Sequence, residues 1–253
     1  MKNKENNQIS YLELLRIERK KLLDLLRETR FTQLDKTIVH KQIIPSASYS
    51  PWESDKEFSK IYKSVKNNTL IDIYRCYELW SLVNQAIFLE GDILEVGVWR
   101  GGSAVVMGVA NKNSKHSHMY LADTFKGVVK AGKYDTLFKG GEYADTSERM
   151  VNNLMKRMGI VNFKTLRGVF PNDFQKPNII KKLKVCHIDV DTYESAKDVF
   201  EYAWPIMVSK GIIIFDDYSA WGCEGVTKYV NTIKVEDGVF IHNLNGHALI
   251  IKI

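Results

Sequence analysis

The sequence predicts an α/β fold: an open, Rossmann-like, mostly parallel sheet, with an antiparallel C-terminal hairpin and an N-terminal helical extension. Three features carry this. Val185-Cys186-His187-Ile188-Asp189-Val190-Asp191 and Gly211-Ile212-Ile213-Ile214-Phe215-Asp216-Asp217 are short apolar runs that each stop at two carboxylates, with a helix-like stretch over 193–208 between them. Strand, helix, strand in that order reads as a right-handed βαβ unit, which places both acidic ends on one sheet edge. Gly97-Val98-Trp99-Arg100-Gly101-Gly102 reads as a tight strand-to-helix turn, and Asn245-Gly246 is a hairpin signal between two strand-like runs.

Taken in order, residues 1–9 are polar and expected to be disordered. From Ser10, a plausible N-cap, apolar residues recur at threes and fours through Leu26, the pattern of an amphipathic helix. Its acidic and basic residues are interleaved, which favours packing on the body or on a second subunit over a membrane surface, and a homo-oligomer is expected. Residues 36–68 lack clear periodicity and read as a long connection with the character of a lid. Helical patterning resumes over 69–89. A strand over 91–97, a helix from 101 to 110 and a strand over 119–123 follow. Next come a Gly- and Lys-rich insertion over 124–145, a helix over 147–158, a strand over 162–166 and the acidic pair of strands. The chain is therefore read as two segments: 1–68, a helix with a lid or linker, and 69–253, the sheet domain.

At 253 residues, 45% hydrophobic and 26% charged, the composition is that of an ordinary globular protein. No apolar stretch approaches the roughly 18 residues of a membrane span, and the polar start has no signal-peptide core. Cys76, Cys186 and Cys223 are scattered without CxxC spacing, so a cytoplasmic location is expected. The net charge of +6 is spread without a basic stripe, which argues against a nucleic-acid partner.

Four carboxylates on one edge repel unless protonated or neutralised, and an oxygen-ligated divalent cation is the usual remedy. At the glycine turn the spacing is G-x-x-x-G-G with a tryptophan inside it, which departs from the dinucleotide pattern G-x-G-x-x-G. Asp123 closes the next strand, where an acid accepts ribose hydroxyls. Glu95 suits a ligand with a cationic amino-acid tail, or else it holds a neighbouring backbone N–H. S-adenosylmethionine has both a ribose and such a tail. His187 is read as a core residue, Asp191 as a catalytic acid or a helix N-cap, and Glu142, Tyr143 and Asp145 as contacts to a ligand or a solvated loop.

Five motifs in order resemble the macrocin O-methyltransferase family: residues 69–80, 91–102, Asp123-Thr124-Phe125-Lys126-Gly127, 187–195 and Asp216-Asp217-Tyr218. The resemblance spans about 69–232. It implies a class I methyltransferase sheet and magnesium-dependent O-methylation of a sugar hydroxyl by S-adenosylmethionine; manganese would suit such hard oxygen ligands equally. It implies further that Asp189, Asp216 and Asp217 hold the metal and that Asp191 is the general base. Thr69, Glu95, Gly97, Ser103 and Asp123 would line the methyl-donor pocket. The acceptor would be a carbohydrate-type small molecule, phosphorylated if Lys126, Lys130, Lys133 and Lys139 serve it. The rival readings are an NAD-dependent oxidoreductase and a non-catalytic interaction module.

Overall fold

The computed structural model describes residues 10–26, 29–31, 38–44, 47–114, 116–174 and 179–253. Residues 1–9, expected to be disordered, and positions 36, 37, 45 and 46 of the expected connection lie outside these. The chain divides into two compact units, 1–48 and 49–253. The first holds α1 (Tyr11–Leu26), none of whose residues is buried, and an antiparallel pair, β1 (Thr29–Phe31) with β2 (Val39–Lys41).

The second unit begins with helices where the sequence suggests a connection. Pro51 opens α2 (Pro51–Ser54), Asp55 caps α3 (Lys56–Val65), and Phe58 and Val65 are fully buried. Next are α4 (Ile73–Gln85), β3 (Asp92–Val96), α5 (Gly102–Ala110), β4 (Met119–Asp123), α6 (Glu148–Arg157), β5 (Phe163–Arg167), β6 (Leu183–Ile188), α7 (Tyr193–Ala203), β7 (Met207–Phe215), α8 (Glu224–Val230), β8 (Gly238–His242) and β9 (Ala248–Lys252). The helix expected to run to 208 stops at Ala203. Pro205 lies in the 3-10 turn that follows and cannot donate to a continuing helix.

Seven strands form one sheet in the order β5-β4-β3-β6-β7-β9-β8. The first five are parallel, while β9 pairs antiparallel with β7 and with β8. The sheet separates two cores. On one face, Ile93, Val185, Ile212 and Ile214 pack with residues of α3 to α6; on the other, Leu94, Cys186, Ile213 and Phe215 pack with α7 and α8. Each such side chain withdrawn from water contributes about 1.5–3 kcal/mol before entropy is charged against it. This alternation fixes the register, because a slip by one residue would exchange the two faces. From β3 the chain winds outward through β4 and β5, then returns to β6 on the other side of β3. The reversal opens a crevice beyond the carboxyl ends of β3 and β6, the position at which such sheets bind ligands.

Candidate active site

Gly97 lies at the centre of that crevice. Its φ of +89° suits glycine, and a Cβ built there would lie 1.6 Å from the carbonyl oxygen of Asp189. Only glycine allows the ends of β3 and β6 to approach this closely. Gly102 has a similar role at the start of α5, since a Cβ there would meet the backbone of Asn68 at 2.7 Å and Thr69 Cβ at 2.8 Å. The 68–69 segment is thereby seated against the start of that helix.

The turn is held by an acid. Asp123 Oδ2 accepts from the backbone N–H groups of Val98 and Trp99, both at 2.8 Å, and its Oδ1 accepts from Phe125 N at 2.7 Å. The strand-end carboxylate read as a ribose partner thus also organises the glycine turn. Trp99 Nε1 donates to Asp145 Oδ1 at 2.8 Å, and Arg100 pairs with the same carboxylate while lying over the Trp99 ring. Glu142 accepts from Lys139 N and Gly140 N, closing its own loop.

A cavity of about 340 Å³ occupies the crevice. Thr69, Gly97, Ser103 and Asp123 line one region of it, and Asp189, Asp191, Asp216 and Asp217 another. Eight of the nine residues singled out in the sequence therefore line one cavity. Glu95 does not: it is wholly buried below the turn, with Oε1 3.0 Å from His187 Nδ1. Positions 93 and 95 share a strand face, so Glu95 follows Ile93 into the layer under α4 and α5. His187 is buried there as expected. None of the four lysines considered for a phosphorylated acceptor lines the cavity; Lys130 pairs with Asp198 and Lys133 lies over Tyr134. At the mouth, Leu137, Tyr143 and Trp221 are exposed apolar or aromatic side chains.

The four aspartates are crowded. One oxygen from each of Asp189, Asp216 and Asp217 can be chosen so that all lie within 4.8 Å of one another. Asp191 and Asp217 adopt φ of +61° and +57°, a left-handed conformation that costs a non-glycine residue roughly 1–2 kcal/mol. Strain of this kind persists where the surroundings impose it, typically at functional sites. The N-cap of α7 is Thr192, and Asp135 Oδ1 accepts from Tyr193 N at 2.9 Å. Asp191 is thus left to face the cluster.

Burial and the neighbouring carboxylates raise Asp189 well above the ordinary range. Burial, then Asp217, does the same to Asp191, which as the protonated partner donates to Asp217. Burial and Asp216 push Asp217 up to about 6. Asp216 moves the other way: burial works against ionisation, but His247 and Arg75 outweigh it and hold the carboxyl low. A residue the motifs do not single out for this role, Arg75, supplies the fixed cation. Its Nη1 lies 2.7 Å from Asp216 Oδ2 and 3.3 Å from Asp217 Oδ1, and its Nε donates to Asp72 Oδ2 at 3.0 Å. Asp72 also caps α4 through Tyr74 N and Arg75 N, which sets the guanidinium in place.

Arg75 and His247 facing four carboxylates still leave a deficit of positive charge. Three convergent hard oxygens with lone pairs to spare fit a magnesium or manganese ion.

The family model described as Macrocin-O-methyltransferase (TylF) matches residues 23–245. The chain is 29% identical over 235 residues to mycinamicin III 3''-O-methyltransferase of Micromonospora griseorubida, covering 86% of this chain and 91% of that protein. It is 28% identical over 164 residues to 8-demethyl-8-(2,3-dimethoxy-alpha-L-rhamnosyl)-tetracenomycin-C 4'-O-methyltransferase of Streptomyces olivaceus, covering 60% and 62%. Among solved structures, the O-methyltransferase NovP superposes with a TM-score of 0.63 at 24% identity, covering 73% of this chain and 82% of that one. The family model and the two relatives favour O-methyl transfer over the oxidoreductase and the non-catalytic module. No described helix is long and apolar enough to cross a membrane.

Proposed function

We propose that this chain, which belongs to the macrocin O-methyltransferase family, transfers a methyl group from S-adenosylmethionine to a hydroxyl of a sugar-bearing small molecule, with a divalent ion on Asp189, Asp216 and Asp217. The observation that carries this reading is that the glycine turn with its acid and the aspartate cluster line one cavity. A sulfonium donor seated at Gly97 and Asp123 would therefore have its methyl group beside an acceptor oxygen at the cluster. The sugar follows from the second relative, whose name specifies a rhamnosyl compound.

Methyl transfer to an alcohol is an in-line displacement, and the hydroxyl must lose its proton as the C–O bond forms. Thr69, Ser103 and the backbone beside Gly97 fix the donor end of that line. Holding donor and acceptor in a reactive pose is worth effective molarities up to about 10⁵–10⁸ M. Asp191, in its ionised form, receives the proton, which contributes about 10²–10⁴ in rate. Burial and the neighbouring carboxylates raise its proton affinity in the cluster, and a dication held on the adjacent aspartates would favour the ionised form that accepts the proton. A bound dication would lower the hydroxyl pKa and neutralise the cluster.

The test is titration calorimetry with S-adenosylhomocysteine, followed by assay of glycosylated natural products and nucleotide sugars with magnesium or manganese. One-site binding per chain and chelator-sensitive methylation are expected. D216N/D217N should abolish turnover while donor affinity stays within about threefold. Turnover indifferent to chelator and to the double substitution would remove the metal from the mechanism.

A further inference from the structure

Beneath the aspartate cluster lies a second polar assembly that shares only Asp216 with it. His187 on β6, Asp216 just beyond β7 and His247 just before β9 share one sheet face on three adjacent strands. The pairings His187 with Ile214 and Phe215 with Ala248 bring them side by side. His187 and His247 are fully buried and Asp216 nearly so. One donor atom from each lies within 4.8 Å of the other two.

Both imidazoles are anchored in the same way. His187 Nδ1 is 3.0 Å from Glu95 Oε1, and His247 Nδ1 is 2.5 Å from Glu78 Oε2. Glu78 is itself held by Asn243 and Asn245. A carboxylate on one ring nitrogen fixes the tautomer and raises the basicity of the other, as is usual for metal-ligating histidines. Here this leaves both Nε2 atoms for the space beside Asp216. Neither Nε2, nor Asp216 Oδ1, makes a hydrogen bond. His247 Nε2 lies 2.7 Å from that oxygen as an ion pair.

An imidazolium at His247 bridging Glu78 and Asp216 would account for that residue, and burial is outweighed there by the two carboxylates, which push its pKa up to about 9. It would leave His187 Nε2 buried with nothing to meet. A common ligand accounts for all three atoms. Glu78 and Glu95 add two further carboxylates to Asp216 around the two imidazoles, so the charge favours a cation. Two ring nitrogens and one oxygen select a borderline dication such as zinc over magnesium.

We propose that His187, His247 and Asp216 form a second metal site, for a zinc-like transition-metal ion, with Glu95 and Glu78 as its outer shell. Asp216 then joins two chemically different sites, with Oδ1 at the nitrogen-rich one and Oδ2 paired with Arg75. The role is structural: the ion ties β6, β7 and the C-terminal strand together directly under the catalytic carboxylates.

The experiment uses untagged full-length protein, stripped by chelator and titrated with cobalt(II) under excess magnesium. The expected result is one equivalent bound per chain, with the intense visible absorption of four- or five-coordinate cobalt, unmoved by magnesium. H187Q and H247Q should each lose that band. X-ray absorption on the wild-type complex, which needs no variant to fold, should show two imidazoles on the ion. No band, a weak six-coordinate spectrum that magnesium displaces, or an oxygen-only shell would overturn the proposal and leave a water or an imidazolium in that space. Calorimetry with S-adenosylhomocysteine on the same sample reads the methyltransferase assignment separately.

Discussion

Replacing Arg75 by methionine removes the guanidinium and keeps an unbranched, helix-compatible side chain. In the wild type that guanidinium touches three carboxylates, at 2.7 Å, 3.0 Å and 3.3 Å, and its side chain is only 15% exposed. Asp216 is almost wholly buried, at 3% exposure, so water does not replace the lost partner. Breaking a buried pair by deleting one member costs about 3–5 kcal/mol. At about 2–4 °C per kcal/mol for a chain of this size, that lowers Tm by roughly 6–20 °C. The cost depends on pH in a definite direction. Asp189, Asp191 and Asp217 already sit above their unfolded values; without the cation they rise further and Asp216 loses part of what holds it low, so folding takes up more protons and stability falls more steeply as pH rises. The gap between wild type and R75M should therefore be wider at pH 8 than at pH 5.5. Manganese should recover some of it by neutralising the same oxygens. Thermal unfolding by circular dichroism at both pH values, with and without manganese, reads all three effects. A variant within about 1 °C of wild type at pH 8 would show that Arg75 is not the counter-ion of the cluster, and the electrostatic account of the site would fall with it.

Gly97→Ala should cost about 3 kcal/mol or more, because its Cβ would collide with backbone. Gly159→Ala, with φ of +77° and open space around it, should cost only about 1 kcal/mol; equal chemical-denaturation midpoints for the two would refute the clash. Asp123→Ala removes three hydrogen bonds to amides of the turn and should weaken S-adenosylhomocysteine binding about tenfold or more by calorimetry, since bonds to a charged acceptor are worth about 1.5–3 kcal/mol each. Unchanged affinity would mean that the turn does not depend on its acid. Lys184 is fully buried with Nζ 3.0 Å from Ser114 Oγ, and burial lowers its pKa to about 8. A lysine depressed on folding penalises the native state fully below the folded pKa, and the penalty fades as pH rises towards the unfolded value near 10.5. Lys184→Met should therefore stabilise by about 1–3 kcal/mol at pH 7, the gain shrinking between pH 8 and 10.5; a gain constant across that window would refute the burial account.

The features readable from sequence were those written locally. Apolar runs that end in carboxylates gave the strands, their order and their acidic edge, because burial on both faces forces such runs. Asp123 and the four clustered aspartates followed from strand ends, whereas Thr69 and Ser103 came only with the family resemblance. What went unread has two causes. Phe58, Ile61, Tyr62 and Val65 do recur at helical spacing, but Pro51 and the serines before it read as a connection, although proline is well placed in a first helical turn. The seven-residue α8 is too short to display a period. The second cause is distance along the chain. Arg75 meets Asp216 across 141 residues and Glu78 meets His247 across 169, and no local pattern announces such partners. Glu95 shows the limit of reading a side chain from its neighbours in sequence. An acid beside a glycine turn suggests a ligand contact, yet the two-residue strand period turns it into the core, where His187 receives it.

Leu137, Tyr143 and Trp221 stand at the cavity mouth on two surface loops, outside every strand and helix. No backbone ladder depends on them, so exchanging them leaves the sheet and its strand ends in place. Substitutions at such positions usually move stability by no more than about 0.5 kcal/mol. The scaffold can thus acquire a new clientele by drift at its rim while its chemistry stays fixed. A library randomised at these three positions is accordingly the economical starting point for retargeting it.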